Sequence, residues 1–168
     1  MTHRSLAATA SPARTVMDEA QLVEHAFRVA HRVALGVVGS PGADDVAQEV
    51  ALEAMRNRRL GRDPRRLDGW LHKVATRTAI RHARRERRHR HRELAAPVTT
   101  SAELPLQPAL DLLAGLPERQ RAALTLRYVL DLPDEAIARA MGCREVTVRS
   151  LLSRGRATLR DRLSEGTP

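Results

Sequence analysis

From Met17 to Val38 the apolar residues Leu22, Val23, Ala26, Phe27, Ala30, Val33, Ala34 and Val37 recur at intervals of three and four. That spacing lines one face of an α-helix, so a helix with one buried side is predicted here. Gly39-Ser-Pro-Gly42 reads as the break that ends it. A second helix is predicted from Asp44, a residue suited to an N-cap or first turn, to about Arg56, with Val46, Val50 and Ala54 as its apolar row. Residues 57–69 hold two Gly, one Pro and five Arg and read as a basic loop. A third helix follows from Trp70. At about 100° per residue, Leu71, Val74, Ala75, Thr78 and Ala79 fall on one side of it, and Lys73, Arg77, Arg81, Arg84 and Arg88 fall on another.

The pattern changes after residue 93. Leu94 to Pro108 brings Pro97, Pro105 and Pro108 among Ala, Thr and Ser, the composition of a linker. Beyond it, Ala109 to Leu116 reads as a short helix, and Pro117-Glu-Arg-Gln starts another, with proline in its first turn. A short helix from Asp134 to Met141, a stop at Gly142 and a long helix from Glu145 to about Leu163 are the elements of a helix-turn-helix. On the long helix Val148, Leu152, Gly155 and Leu159 form a packing face. The fold class is therefore all-α: two small helical domains joined by a flexible linker, the second ending in a helix-turn-helix. The divisions expected are a loose polar tail over 1–16, a first domain over 17–93, the linker over 94–108 and a second domain over 109–165.

Charge sharpens this picture. The chain carries a formal net charge of +9, yet residues 56–92 alone hold fifteen Lys plus Arg against Asp63, Asp68 and Glu86, a net of +12, leaving −3 for the remainder. Concentration in one segment argues for a local polyanion-binding surface over a generally basic protein. A face that is merely solvated mixes signs, whereas the stripe on the third helix has one sign. The second helix carries the opposite charge, with Asp45, Glu49 and Glu53 in a row beside Gln48, and this reads either as a plain solvent-exposed face or, more sharply, as a docking face for a basic partner. On the helix-turn-helix, the first residues of the second helix are those that reach base edges, which points to Arg144, Glu145, Thr147 and Arg149.

Some chemistry is excluded. The single cysteine, Cys143, rules out an internal disulfide and suits a reducing compartment. His82, His89 and His91 lack companion Cys or carboxylates at ligand spacing, so no metal site or metal cofactor is expected. No apolar run approaches the roughly twenty residues of a membrane span, so membrane insertion is not expected either.

Taken together the motifs resemble the short bacterial RNA polymerase sigma factors of the extracytoplasmic-function group, which keep only domains two and four. Asp44-Asp-Val-Ala-Gln-Glu-Val50 is similar to that family's acidic element, and Trp70-Leu-x-x-Val-Ala75 to the start of its minus-ten region. Leu116-Pro-x-x-Gln-Arg121, Ala136-Ile-Ala-x-x-Met-Gly142 and Thr147-Val-Arg-Ser-x-Leu-Ser-Arg154 are similar to its minus-thirty-five domain. The resemblance implies that Asp45, Gln48 and Glu49 bind core RNA polymerase. It implies that Trp70, Lys73, Arg77, Arg81, Arg84, Arg85 and Arg88 meet the minus-ten element. It implies that Arg144, Glu145, Thr147, Arg149, Ser150, Ser153 and Arg154 meet the minus-thirty-five element of promoter DNA. It further implies a cytoplasmic, non-enzymatic protein, and it leaves an anti-sigma factor open as a partner.

The sequence departs from the family pattern at named places. Arg77 stands where Asn is common, Arg81 where an acidic residue is common, and Ala51 and Met55 where aromatics are frequent. Leu151, Val146 and Pro133 replace a frequent Arg, Gly and Ser. With Phe27, Trp70 and Tyr128 as its only aromatics, the chain offers few rings for stacking unpaired bases. Two other readings compete. A helix-turn-helix regulator that works without polymerase leaves the acidic row unexplained, and a metal-dependent nuclease lacks clustered carboxylates.

Overall fold

The structure, a computed structural model, describes residues 17–57, 59, 63–92 and 112–165. Among these residues every regular element is helical: α1 (Glu19–Val38), α2 (Ser40–Arg56), α3 (Pro64–Arg92), α4 (Glu118–Tyr128), α5 (Asp134–Met141) and α6 (Glu145–Glu165). The expected tail over 1–16 and linker over 94–108 lie outside the described residues.

Local chemistry sets the helix ends. Asp18 accepts from the Gln21 backbone N–H at 2.8 Å, and the Gln21 side chain accepts from the Asp18 N–H at 3.0 Å. This capping box satisfies two N–H groups that would otherwise lack partners at the start of α1. The predicted break after α1 is shorter than expected. Gly39 alone separates α1 from α2, and Ser40-Pro-Gly42 forms the first turn of α2, where Pro41 loses no hydrogen bond. Asp44 is therefore inside the helix, where it pairs with His31 at 3.3 Å. The same correction applies to α3. It starts at Pro64, not Trp70, because a proline in the first turn and Leu67, fully buried, continue the helical pattern into the presumed basic loop.

The first three helices pack as a three-cornered bundle in which each touches the other two. His25 of α1 meets Asp68 near the start of α3 at 2.7 Å, while a Cβ built on Gly42, in the first turn of α2, would lie 3.1 Å from Glu86 near the end of α3. Hence α1 and α3 run the same way, in direct contact, and α2 runs back against both. The seam between α1 and α2 is built from small side chains: Ala26, Ala30, Ala34, Ala43, Ala47 and Ala54 are fully buried, with Ala51 nearly so. At 29 residues α3 is about 43 Å long.

The last three helices pack as a second group around Leu124, Leu126, Ile137, Val148 and Leu152, all buried, with Leu159 half-buried at the edge. Gly142 makes the tight turn between α5 and α6 at φ 61° and ψ 45°, a left-handed conformation that costs other residues a Cβ clash. Cys143 N–H then donates to Ala138 O at 3.0 Å, closing the end of α5. Arg162 donates to Gly115 O at 2.7 Å and to Leu112 O at 3.3 Å, fastening α6 to the segment before α4. The two groups share one continuous apolar core: α4 packs on α1, and both α4 and α5 pack on α3.

Candidate nucleic-acid interface

The basic stripe of α3 is present as a surface. Lys73, Arg77, Arg81, Arg84, Arg85 and Arg88 are all exposed. The opposite flank, Leu67, Leu71, Ala75 and Thr78, is buried against α1 and α2. Trp70 at the head of the stripe is half-buried against the apolar core, so its ring is held in place. Helical geometry expects one buried flank, but Thr76 and Ala83 are buried too, on a side rotated by more than 90° from Leu71. That second flank faces the α4–α5 group, and the stripe occupies the arc left open between the two.

The acidic face of α2 adjoins this stripe. Asp45 and Gln48 are exposed, and Glu49 is half-buried and accepts from both Arg81 and His82, the latter at 3.2 Å. Arg81, where the resembling family commonly has an acid, thus acts as a counter-charge to Glu49. Ala51 is 6% exposed within the small-residue seam, which leaves no room there for an aromatic ring. Leu52 stands on the same helix as a large exposed apolar side chain.

On the helix-turn-helix, Arg144, Glu145, Arg149, Ser153 and Arg154 are exposed and Thr147 and Ser150 half-exposed. Of these, Arg144, Glu145 and Thr147 border, together with the turn, an open cleft of about 960 Å³ lined also by Glu135, Arg139 and Cys143. Their side chains are not free rotors. Asp134, at the start of α5, accepts from Arg127 and lies 3.6 Å from the Arg149 guanidinium, and Glu145 lies 3.6 Å from the same group. Arg154 donates to Ser150 Oγ at 2.8 Å. Leu151, where the family often has Arg, is 8% exposed and belongs to the core. The structure thus gathers the predicted residues into three surfaces: an acidic one on α2, a basic one on α3 and a mixed one on α6.

Three residues that matter to this arrangement were not predicted. Glu118, in the first turn of α4, takes Arg84 at 3.0 Å and Arg87 at 3.7 Å, which ties the α3 stripe to the other helical group. Burial acts to raise the Glu118 carboxyl, but its own backbone N–H, the Arg84 hydrogen bond and the charges of Arg87 and Arg84 outweigh that and hold it below the ordinary carboxylate range. Arg87 falls outside the four-four-three-four register of the stripe, and Asp134 and Glu118 read in sequence only as first-turn acids of their helices. Charge opposite to the arginines was the one available signal.

The contact between the groups is close but not fully satisfied. A Cβ on Gly36 would lie 2.0 Å from Thr125 Oγ1, so only glycine lets α4 approach α1 there. Arg32 donates to Val129 O across the same junction. Thr76 Oγ1 and Thr125 Oγ1 are buried with no hydrogen-bond partner. Each such group costs about 1–3 kcal/mol relative to a satisfied one. Nearby, burial holds the His72 imidazole below its ordinary value against the raising pull of Asp68, with His25 and Arg32 adding to the lowering.

A helix-turn-helix and a single-sign basic stripe are carried on an all-helical frame, with no helix among the described residues long and apolar enough to cross a membrane. Residues 22–89 match the family described as sigma-70 region 2, and residues 106–159 match the family described as sigma-70, region 4. The chain belongs to the sigma-70 family. It is 33% identical over 158 residues to the ECF RNA polymerase sigma factor SigE of Mycolicibacterium smegmatis, an alignment covering 84% of this chain and 60% of that protein. It is 32% identical over 149 residues to a probable RNA polymerase sigma factor, RfaY, of Xanthomonas campestris, covering 78% of this chain and 36% of that one. The chain thus spans less than two thirds of the length of the first relative and about a third of the second. In fold it is similar to the sigma factor RpoE of Bartonella quintana, solved in complex with the anti-sigma factor NepR, with a TM-score of 0.67 and 20% identity over 88% of this chain and 98% of that one.

Proposed function

We propose that this chain is an alternative sigma factor of the extracytoplasmic-function type, which binds core RNA polymerase and directs transcription initiation from selected promoters. The observation that carries the reading is the combination, on one frame, of an acidic α2 face beside a basic α3 stripe and a helix-turn-helix, in the family's order. Residues 17–93 serve as the polymerase-docking and minus-ten half, and residues 109–165 as the minus-thirty-five half. Asp45, Gln48 and Glu49 dock on polymerase. Trp70, Lys73, Arg77, Arg81, Arg84, Arg85 and Arg88 follow the minus-ten element, while Arg144, Glu145, Thr147, Arg149, Ser150, Ser153 and Arg154 enter the major groove at minus thirty-five. The chain performs no bond chemistry; the polymerase supplies it, in the cytoplasm. An anti-sigma factor is a natural further partner, since the RpoE neighbour was solved with one.

Pull-down with core RNA polymerase followed by run-off transcription on fragmented genomic DNA tests the proposal. Binding with discrete new start sites is the expected outcome. Reversing charge at Asp45 and Glu49 is expected to weaken polymerase binding by more than about tenfold, about 1.4 kcal/mol, with helicity unchanged. Promoter-specific DNA binding in the complete absence of polymerase, with no polymerase captured, transfers the assignment to a stand-alone helix-turn-helix regulator.

A further inference from the structure

The first turn of α6 carries an apolar side chain that the charged surfaces do not account for. Val148, Leu151, Leu152 and Gly155 are buried, and at about 100° per residue they fix which side of α6 faces the core. The line opposite them runs through Val146, Ser150, Ser153 and Ala157. Arg149 and Glu145 stand on one flank of that line, where Asp134 and Glu145 each lie 3.6 Å from the Arg149 guanidinium. Arg154 stands on the other flank and donates to Ser150 Oγ at 2.8 Å. The charges are turned to the sides, and the outermost line is left to uncharged groups, of which Val146 is the only bulky one. It is 61% exposed. A lone exposed valine is ordinary on a protein surface; its place on this line is what singles it out.

We propose that Val146 is a specificity-determining residue that packs on the 5-methyl group of one thymine in the minus-thirty-five element. A helix whose first turn enters a major groove sets its outermost line against the base edges and its flanks towards the phosphates. Those edges offer donors, acceptors and a single apolar group, the thymine methyl. Ser150 and Ser153, short side chains on the same line, let the helix sit deep enough for the Val146 isopropyl group to reach it. The contact selects thymine in two ways. Apolar area is buried on the methyl, whereas cytosine presents an amino donor that the valine covers without accepting from it, and an unpaired buried donor costs affinity. This inference rests on the reading of α6 as a promoter-binding helix for its setting, and on the placement of Val146 for its content.

The full-length chain, both with core RNA polymerase and by itself, is used to enrich duplexes from a random-sequence pool. Each thymine of the enriched motif is then replaced in turn by deoxyuridine, which removes only the methyl. For wild type, one position is expected to lose affinity about fourfold, the worth of one buried methyl-sized group. In Val146→Ala the loss at that position is expected to fall below about 1.5-fold, and in Val146→Thr, which keeps one of the two methyls, to be intermediate. Cytosine placed there is expected to bind wild type poorly and to recover on 5-methylation, a recovery that Val146→Ala lacks. Thr147→Ser removes the neighbouring methyl and is expected to keep the wild-type ratio of thymine to deoxyuridine, whatever its overall affinity. Circular dichroism checks helicity; if Val146→Ala unfolds, Val146→Thr and the 5-methylcytosine series decide. A wild type indifferent to every deoxyuridine overturns the assignment, as does a Val146→Ala chain with the wild-type ratio or a Thr147→Ser chain that has lost it. Core-polymerase capture is scored in parallel: no capture with the methyl dependence intact removes the sigma reading and leaves Val146 its role, whereas capture without methyl dependence removes only that role. Failure to enrich any sequence in either form overturns both.

Discussion

The two basic surfaces hold their arginines in different ways. On the helix-turn-helix, Arg149 is flanked by Asp134 and Glu145, acids of its own helical group, so its orientation is independent of the rest of the chain. On α3, Arg84 and Arg87 are held by Glu118, an acid of the opposite group, while Arg81 has its partner, Glu49, within its own. A surface oriented by local acids is preset for reading bases, where a guanidinium must be aimed. A surface held by a distant acid is conditional, and suits phosphate contact, which tolerates imprecise aim but responds to competition.

The largest test asks whether the groups are independent at all. Ile137→Ala removes a fully buried side chain from the α5 core and is expected to cost about 2–5 kcal/mol. Trp70, the one tryptophan, lies in the other group. If the shared core is cooperative, the thermal transition followed by Trp70 fluorescence falls with the helicity transition; two separated transitions would break the comparison at its root. Next in size, Arg149→Ala is expected to cost about 1–3 kcal/mol of discrimination at one or two minus-thirty-five positions. The Arg84→Ala, Arg87→Ala pair is expected instead to weaken binding to all sequences alike and to flatten the salt slope, measured on the same promoter panel. Asp134→Asn sharpens the contrast further. Because the pair is partly exposed, it is expected to reproduce less than about 1 kcal/mol of the Arg149 effect, confined to the same positions.

The smallest effect concerns pH. His72 has its folded-state value lowered, so the unfolded chain takes up a proton first as pH falls. Stability from its burial is complete above about 6.5, the value of an unburied imidazole, and is lost as pH drops through the lower folded value. Melting temperature is expected to decline gently below pH 6.5, and His72→Gln to flatten that decline; an unchanged slope would detach His72 from it.

Much of this frame was legible in the chain. Periodicity placed the buried faces of α1, α2 and α6 at the right residues, because each helix buries one flank against neighbours close in sequence. It missed the starts of α2 and α3, where Pro41 and Pro64 open helices and do not break them. It also missed the second buried flank of α3. Thr76 and Ala83 look like ordinary outward positions until a group some forty residues further on covers them. The site divides the same way: the stripe and the charged face of α6 were visible as charge at helical spacing, whereas Glu118 and Asp134 acquire their roles only through contacts that periodicity does not encode.

The small-residue seam between α1 and α2 has a consequence for how such a protein diversifies. Where methyl groups of Ala26, Ala30, Ala34, Ala43, Ala47 and Ala54 fill the gap between two helices, a larger side chain at any of them forces the helices apart. Those positions are frozen, and the frozen set lies on the flank of α2 turned away from Asp45, Gln48 and Leu52. Drift on the outer flank therefore proceeds without repacking the inner one. Charge on the outer flank of α2 can change without disturbing the seam that holds α1 and α2 together.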